Sequence, residues 1–173
     1  MRTLILAVVL VVLWSISPVR AQPTGLAIGN KSPEIILPSP KGDTIRLSTF
    51  KGKIVLIDFW ATWCSPCVQE QSDLKRLYAR YKNSKFTNGN GFEIFGVSLD
   101  AKKPAWEDFI RKQNIDWIQV SDLKFWSSPV AKTYNIQEFP YNLLIDANGV
   151  ILSKNLHGAD LENGIAKYAA SQF

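Results

Sequence analysis

The residues best suited to chemistry are two cysteines three positions apart, Cys64 and Cys67, in the stretch 63–67. They are the only cysteines in the chain of 173 residues. A structural disulfide normally closes a longer loop, because closing a short one removes little entropy from the unfolded chain. A tetrahedral zinc site needs about four ligands, and the sequence adds only a single histidine, His157. The pair therefore predicts thiol–disulfide exchange, and we expect no metal and no cofactor.

The cysteine pair lies where a buried strand is predicted to lead into a helix. The run Ile54–Trp60 is almost entirely apolar, which indicates a strand covered on both faces of a sheet. From Pro66 onward, apolar residues recur at helical spacing, and proline suits a first helical turn. A helix N-terminus stabilises a thiolate through its free N–H groups and dipole. We therefore expect Cys64 to be the exposed nucleophile and Cys67 the shielded resolving thiol.

This arrangement predicts an exchange reaction in two steps. The Cys64 thiolate attacks a substrate disulfide and forms a mixed disulfide with it. Cys67 then attacks Cys64, which releases the reduced substrate and leaves a Cys64–Cys67 disulfide. The same steps run backwards oxidise a substrate dithiol, so the two cysteines leave the direction open.

The remaining elements predict an α/β domain. Two short apolar runs, Glu34–Leu37 and Thr44–Leu47, flank a turn-rich segment and indicate an N-terminal β-hairpin. The predicted order after it is β-α-β-α-β-α-β-β-α. Such alternation favours parallel strands with helices packed on the sheet, and the two late strands add antiparallel pairing. A polar loop is expected at 83–91.

The N-terminal residues 1–21 have the layout of a secretory signal peptide. Arg2 precedes the apolar run Leu4–Trp14, and Val19 and Ala21 are small residues where cleavage requires them. The run is shorter than the roughly 20 residues of a membrane span. An uncleaved N-terminal membrane anchor is the alternative.

Cleavage would leave residues 22–30 as a lead-in segment and residues 31–173 as the folded domain. The protein would then be periplasmic or otherwise exported, in a compartment where disulfides form. The net charge of +5 comes from basic residues scattered among acids, without an arginine-rich arm. The composition therefore gives no indication of a nucleic-acid partner.

The stretch Val55–Cys67 resembles the active-site segment of the thioredoxin superfamily. Further segments are similar to its exported TlpA/ResA-type branch: Ser32–Ile35, Lys51–Lys53, Gly96–Asp100, Phe139–Pro140 and Leu144–Gly149. The resemblance runs from about Lys31 to the C-terminus. It implies a thioredoxin-like three-layer fold, in which helices flank a central mixed sheet and the N-terminal hairpin is an addition.

The resemblance also implies roles for further residues. Asp58, six positions before Cys64, matches a buried acid of the family; an acid in so apolar a strand needs a role or a partner. Burial would raise its pKa and suit it to exchange a proton with Cys67. Pro140 matches a cis-proline that faces the cysteine pair, and Trp63 and Phe139 would border the substrate groove.

Two polar residues receive no firm role from the sequence. Glu70 matches a frequent acid of the family, but an acid near a helix start is also favoured by the helix dipole. His157 is expected at the surface after the last strand, and we assign it no function.

The resemblance favours a reductase that acts on exported protein thiols and disulfides. Apocytochrome c is one candidate substrate, and a membrane protein would supply the electrons. A thiol oxidase or isomerase of the DsbA/PDI kind uses the same residues and is the main alternative. A peroxiredoxin-like peroxidase would place threonine three residues before the attacking cysteine, where this chain has Ala61. A metal-binding module is the remaining alternative.

Overall fold

A computed structural model describes residues 22–170. The strands, in chain order, are β1 (Ile36–Pro38), β2 (Thr44–Arg46), β3 (Ile54–Trp60), β4 (Lys85–Phe86), β5 (Gly89–Asn90), β6 (Phe92–Ser98), β7 (Ile118–Val120), β8 (Tyr141–Ile145) and β9 (Ile151–Lys154). The α-helices are α1 (Ser65–Tyr81), α2 (Lys103–Lys112), α3 (Pro129–Thr133) and α4 (Gly158–Ala166), and 3-10 helices cover Leu47–Phe50 and Phe125–Ser127. The predicted signal segment, residues 1–21, lies outside the described residues.

Five strands form a mixed sheet in the order β7-β6-β3-β8-β9. The central strand β3 pairs in parallel with β6 and antiparallel with β8. Every residue of β3 and β6 is buried, because both strands have neighbours at their edges and packed layers on their faces. This confirms the predicted mixed sheet and the buried strand before the cysteine pair.

Each face of the sheet carries its own apolar core. One face packs against α1, α2 and α4, through buried side chains that include Leu74, Trp106 and Leu161. The other packs against the β1–β2 hairpin and α3, through Leu37, Ala131 and other buried residues. The added N-terminal hairpin is thus present, and it covers the sheet on the side opposite α1.

The segment 83–91, expected to be a polar loop, contains the short antiparallel pair β4–β5. Its one apolar side chain, Phe86, is buried and lies 6.3 Å from the ring of Tyr81. The Thr87 N–H also donates a hydrogen bond to the Tyr168 carbonyl at 2.9 Å. One apolar residue among polar neighbours has no periodicity, so these strands could not be predicted from the sequence.

The lead-in segment is hydrogen-bonded to the edge of the sheet. The Gly29 N–H donates to the Ile151 carbonyl, and the Ile151 N–H donates to the Asn30 carbonyl, both at 2.9 Å. Ser32 continues this contact through its N–H, which donates to the Gly149 carbonyl. Among residues 22–170, no helix combines the length and the apolar character that a membrane crossing requires.

Candidate active site

The cysteine pair forms a disulfide at the junction between β3 and α1. Cys64 is the N-cap residue of α1, and Pro66 lies in the first helical turn. The Cys67 N–H donates a hydrogen bond to the Cys64 sulfur at 3.2 Å. The same N–H can stabilise a Cys64 thiolate after reduction, together with the positive end of the helix dipole. The local geometry therefore suits Cys64 to the role of nucleophile.

Both cysteines are buried in the disulfide form. Cys64 is 5% exposed and Cys67 is 2% exposed, so the expectation that Cys64 is exposed is wrong for this redox state. The physical reason is that both residues belong to the apolar cluster on the α1 side of the sheet. The order of exposure is the expected one, with Cys67 deeper in the helix.

Asp58 is a buried acid beneath the first turns of α1. Because side chains alternate along a strand, Asp58 shares its face of β3 with Leu56 and Trp60, on the side of the sheet covered by α1. Burial, with a smaller contribution from the negative charge of Glu70, raises the pKa of Asp58 to about 8. The Asp58 carboxyl is therefore largely protonated at neutral pH. Its pKa lies close to the roughly 8.5 of an ordinary thiol, which favours proton exchange with a cysteine.

Glu70 and His157 form a pair near Asp58. The His157 Nδ1 atom lies 3.0 Å from Glu70 Oε1, although 87 positions separate them in the chain. The buried amide of Asn142 holds the preceding backbone, since it donates to the Leu156 carbonyl at 2.7 Å and accepts from the Leu156 N–H at 3.0 Å. Asn142 is also the cross-strand partner of Asp58. The structure thus places His157, which received no role from the sequence, against α1.

The predicted cis-proline loop lies beside the cysteine pair. The Phe139–Pro140 peptide is cis, as the resemblance implies. Tyr141, which follows it, pairs with Phe59 near the end of β3. The ring of Phe139 lies 5.5 Å from the ring of Trp63. The fold therefore brings Trp63, Phe139 and Pro140 together, and their roles in substrate binding stay predictions.

A buried carboxylate fixes the turn that precedes Cys64. Asp100 accepts hydrogen bonds from the Thr62 N–H at 3.1 Å and from the Thr62 hydroxyl at 2.6 Å. It also accepts one from the Ser98 hydroxyl at 2.7 Å. In the sequence, Asp100 stands out only as the last residue of the segment 96–100 that resembles the family. A carboxylate directly after a buried strand was the signal that could have indicated a positioning role.

Two aromatic side chains near the site could not be predicted from the sequence. Phe125 and Trp126 follow β7, and their rings lie 5.2 and 6.2 Å from the ring of Trp63. Both are exposed. Neither belongs to a periodic apolar pattern, so only the tertiary fold shows that they are neighbours of the cysteine pair.

The described residues also form a cavity of about 330 Å³ away from the disulfide. Its lining includes Val55 and Ile145, which lie at the opposite end of the sheet from Cys64. Among residues 22–170, no group of three or more histidine, cysteine, aspartate or glutamate side chains is placed to hold a metal ion.

Comparison with known proteins identifies the family. The AhpC/TSA family model matches residues 28–154. The thiol-disulfide oxidoreductase ResA of Geobacillus kaustophilus (strain HTA426) is 34% identical over 128 residues, which cover 74% of this chain and 68% of that protein.

Two solved structures resemble the chain closely. The C-terminal domain of a putative thiol-disulfide oxidoreductase from Bacteroides thetaiotaomicron is 38% identical, with a TM-score of 0.75 over 83% of this chain and 96% of that one. A putative thiol:disulfide interchange protein DsbE from Chlorobium tepidum is 30% identical, with a TM-score of 0.72 over 83% of this chain and 98% of that one. The chain belongs to the AhpC/TSA family and is a thioredoxin-like thiol–disulfide oxidoreductase.

Proposed function

We propose that this oxidoreductase is an exported reductase, which breaks disulfides of other exported proteins and ends each cycle with a Cys64–Cys67 disulfide. The observation that carries the direction is the buried and acidic environment of the cysteine pair, with the protonated Asp58 beneath the first turns of α1 and Glu70 beside them. A strong oxidant stabilises its reduced, thiolate form. The surroundings of this cysteine pair have the opposite effect, because burial of the two sulfurs and the negative charge of Glu70 both disfavour a thiolate and so favour the disulfide.

The acid at position 58 also serves the resolving step of a reductase. In that step Cys67 must lose its proton before it attacks the mixed disulfide at Cys64. The ionised fraction of Asp58, whose pKa is about 8, is basic enough to accept that proton, and the protonated carboxyl is acidic enough to return it.

The proposed location and partners rest on the sequence. The signal-like residues 1–21 support export, and an uncleaved membrane anchor is the alternative. The substrates would be exported protein thiols and disulfides, with apocytochrome c as one candidate, and a membrane protein would return electrons to the Cys64–Cys67 disulfide. Mass analysis of the protein from its native cells tests the location: a chain that begins at residue 22 supports export, and a membrane-bound chain that begins at Met1 supports the anchor.

The reduction potential of the Cys64–Cys67 pair tests the direction. The purified protein is equilibrated in graded thiol buffers, and its free thiols are counted by mass after alkylation. We expect a potential near that of thioredoxin, about −270 mV. A potential near that of DsbA, about −120 mV, would contradict the reductase proposal and favour an oxidase or isomerase.

A further inference from the structure

Exposed apolar side chains are concentrated beside the cysteine pair. Trp63, Phe125 and Trp126 are 48%, 40% and 37% exposed. Only two other large apolar side chains in residues 22–170 are as exposed, Ile28 and Ile36, and these belong to the lead-in segment and β1. Single exposed apolar residues are ordinary, but a contiguous group of them marks an interaction site.

The exposed rings form one continuous surface. The rings of Phe125 and Trp126 are 5.9 Å apart, and Trp126 stacks on Phe139 at 5.0 Å. Phe139 in turn lies 5.5 Å from Trp63, which directly precedes the nucleophile Cys64. We call these four residues, Trp63, Phe125, Trp126 and Phe139, the aromatic shelf.

The backbone that carries the aromatic shelf is held in place. Phe125 has a φ of 53°, a conformation that residues with side chains rarely adopt. The surrounding turn is fixed by Asp122, whose carboxylate accepts hydrogen bonds from the Lys124 N–H at 3.1 Å and the Ser128 hydroxyl at 2.8 Å. The Ser128 N–H also donates to the Phe125 carbonyl at 3.2 Å. The rings are thus presented in advance, which lowers the entropic cost of binding.

The position of the shelf indicates its occupant. A substrate sulfur must reach Cys64, so the residues next to the substrate cysteine pass over Trp63. The rings of Phe125 and Trp126 lie 5.2 and 6.2 Å from the Trp63 ring. An extended chain advances about 3.3 Å per residue, so the shelf reaches about two or three residues from the substrate cysteine.

We propose that the aromatic shelf is a specificity site, which binds a large apolar side chain, aromatic in preference, two or three residues from the cysteine of an extended substrate. The proposal rests on the proposed function, in which Cys64 attacks protein disulfides. In each turnover the Cys64–Cys67 bond forms as the substrate S–S bond breaks, and two electrons and two protons pass to the substrate.

Peptide substrates test the shelf. Three peptides of equal length and charge each contain one internal disulfide. The first has tryptophan two residues before its first cysteine, and the second has tryptophan two residues after its second cysteine. The third peptide has alanine at both of these places. The second-order rate constant for reduction by the fully reduced protein is measured by acid quench and mass spectrometry. Each constant is divided by the same protein's constant for hydroxyethyl disulfide, which corrects for changes in Cys64 itself.

We expect the wild-type protein to reduce one tryptophan peptide about tenfold faster than the alanine peptide, the size of effect expected for one buried aromatic contact. The double variant Phe125→Ala/Trp126→Ala should lower this ratio to about one. Trp126→Phe, which retains a ring, should keep most of the preference. The matched control is Ile36→Ala, an exposed apolar residue on β1, and its ratio should equal that of the wild type.

Four outcomes would overturn the proposal. A ratio near one between the tryptophan and alanine peptides in the wild-type protein, or an unchanged ratio in the double variant, would show that the shelf does not select the substrate side chain. A dimer in sedimentation that dissociates in the double variant would make the shelf a contact between two copies of this chain. Failure of the wild-type protein to reduce hydroxyethyl disulfide would refute the proposed function itself, and the shelf proposal with it.

Discussion

Burial of the Asp58 carboxyl lowers the stability of the folded protein at neutral pH but suits the carboxyl to proton exchange with a thiol. The side chain is 3% exposed, and its ionised form is disfavoured in the apolar surroundings. The same environment brings its pKa into the range where a carboxyl can exchange protons with a thiol. A residue retained at a cost in stability is expected where function requires it.

The first prediction concerns Asp58→Asn. Because the folded protein raises the pKa of Asp58 to about 8, its contribution to stability is greatest below about pH 4 and is lost as the pH rises to about 8. An asparagine does not ionise, so the variant does not lose stability as the pH rises. Burying its amide costs some free energy, but less than burying a charged carboxylate. We expect the free energy of unfolding to rise by about 2–4 kcal/mol at pH 7 and by much less at pH 4. Urea unfolding at both pH values measures this, and a variant less stable than wild type at pH 7 would contradict it.

The second prediction concerns the charge at Glu70. Glu70→Gln removes the negative charge that contributes to the raised pKa of Asp58, while burial, the larger cause, remains. The pKa of Asp58 should therefore fall only part of the way towards its ordinary value. Carbon-13 NMR of the carboxyl groups follows the titration directly. Asp73→Asn, an exposed acid of the same helix, is the matched control and should leave the titration unchanged.

At the scale of elements, the turn between β3 and α1 is held from two sides. The helix side contributes the Cys67 N–H, which donates to the Cys64 sulfur. The strand side contributes Asp100, two residues after the end of β6, which accepts hydrogen bonds from both the N–H and the hydroxyl of Thr62. Because β3 and β6 are parallel neighbours, their C-terminal ends lie at the same edge of the sheet. The parallel pairing of β3 and β6 thus brings Asp100 next to Thr62, in the turn that leads to Cys64.

The third prediction concerns this contact between Asp100 and Thr62. Asp100→Ala removes a buried acceptor of three hydrogen bonds and should lower the free energy of unfolding by about 2–4 kcal/mol. Thr62→Ala removes only the hydroxyl donor and should cost about 1–2 kcal/mol. Both variants should also slow attack by Cys64 on a small disulfide, since the turn before it is loosened. Denaturant unfolding and the rate of attack measure the two effects; equal losses of stability in the two variants would argue against this account.

At the scale of the whole molecule, the redox state of the cysteine pair is coupled to folding. A disulfide stabilises the folded form of a reductase, whereas a strong oxidant is more stable when reduced. The fourth prediction is therefore that the oxidised protein unfolds at a higher urea concentration than the reduced protein. Parallel unfolding curves with and without reductant provide the comparison. Greater stability of the reduced form would favour the oxidase alternative.

Local patterns in the sequence predicted the strands and helices whose apolar residues follow a regular spacing. The bounds of β3 agree with prediction because its seven consecutive buried residues are all apolar except Asp58. The cysteine pair could be assigned because both its residues lie within one turn of helix. The cis peptide at Pro140 came from the family resemblance, since the residues themselves favour trans.

Contacts between distant parts of the chain could not be predicted in this way. The pair of Glu70 and His157 spans 87 positions, and the aromatic shelf collects residues from three separate segments. The burial of Phe86 depends on its contact with α1. Each of these results from strand order and helix packing, which local periodicity does not encode.

In the mechanism proposed for this protein, Cys64 attacks the substrate and Cys67 resolves the mixed disulfide. The most direct measurement is the intact mass of reduced Cys67→Ser protein after incubation with a peptide disulfide, followed by mapping of the adduct. We expect Cys67→Ser to hold one peptide through Cys64 in a stable mixed disulfide. The Cys64→Ser variant should bind no peptide, and the wild-type protein should release its peptide within the same time. An adduct that forms at Cys67 in the Cys64→Ser variant, with none in Cys67→Ser, would contradict the assignment of the two thiols.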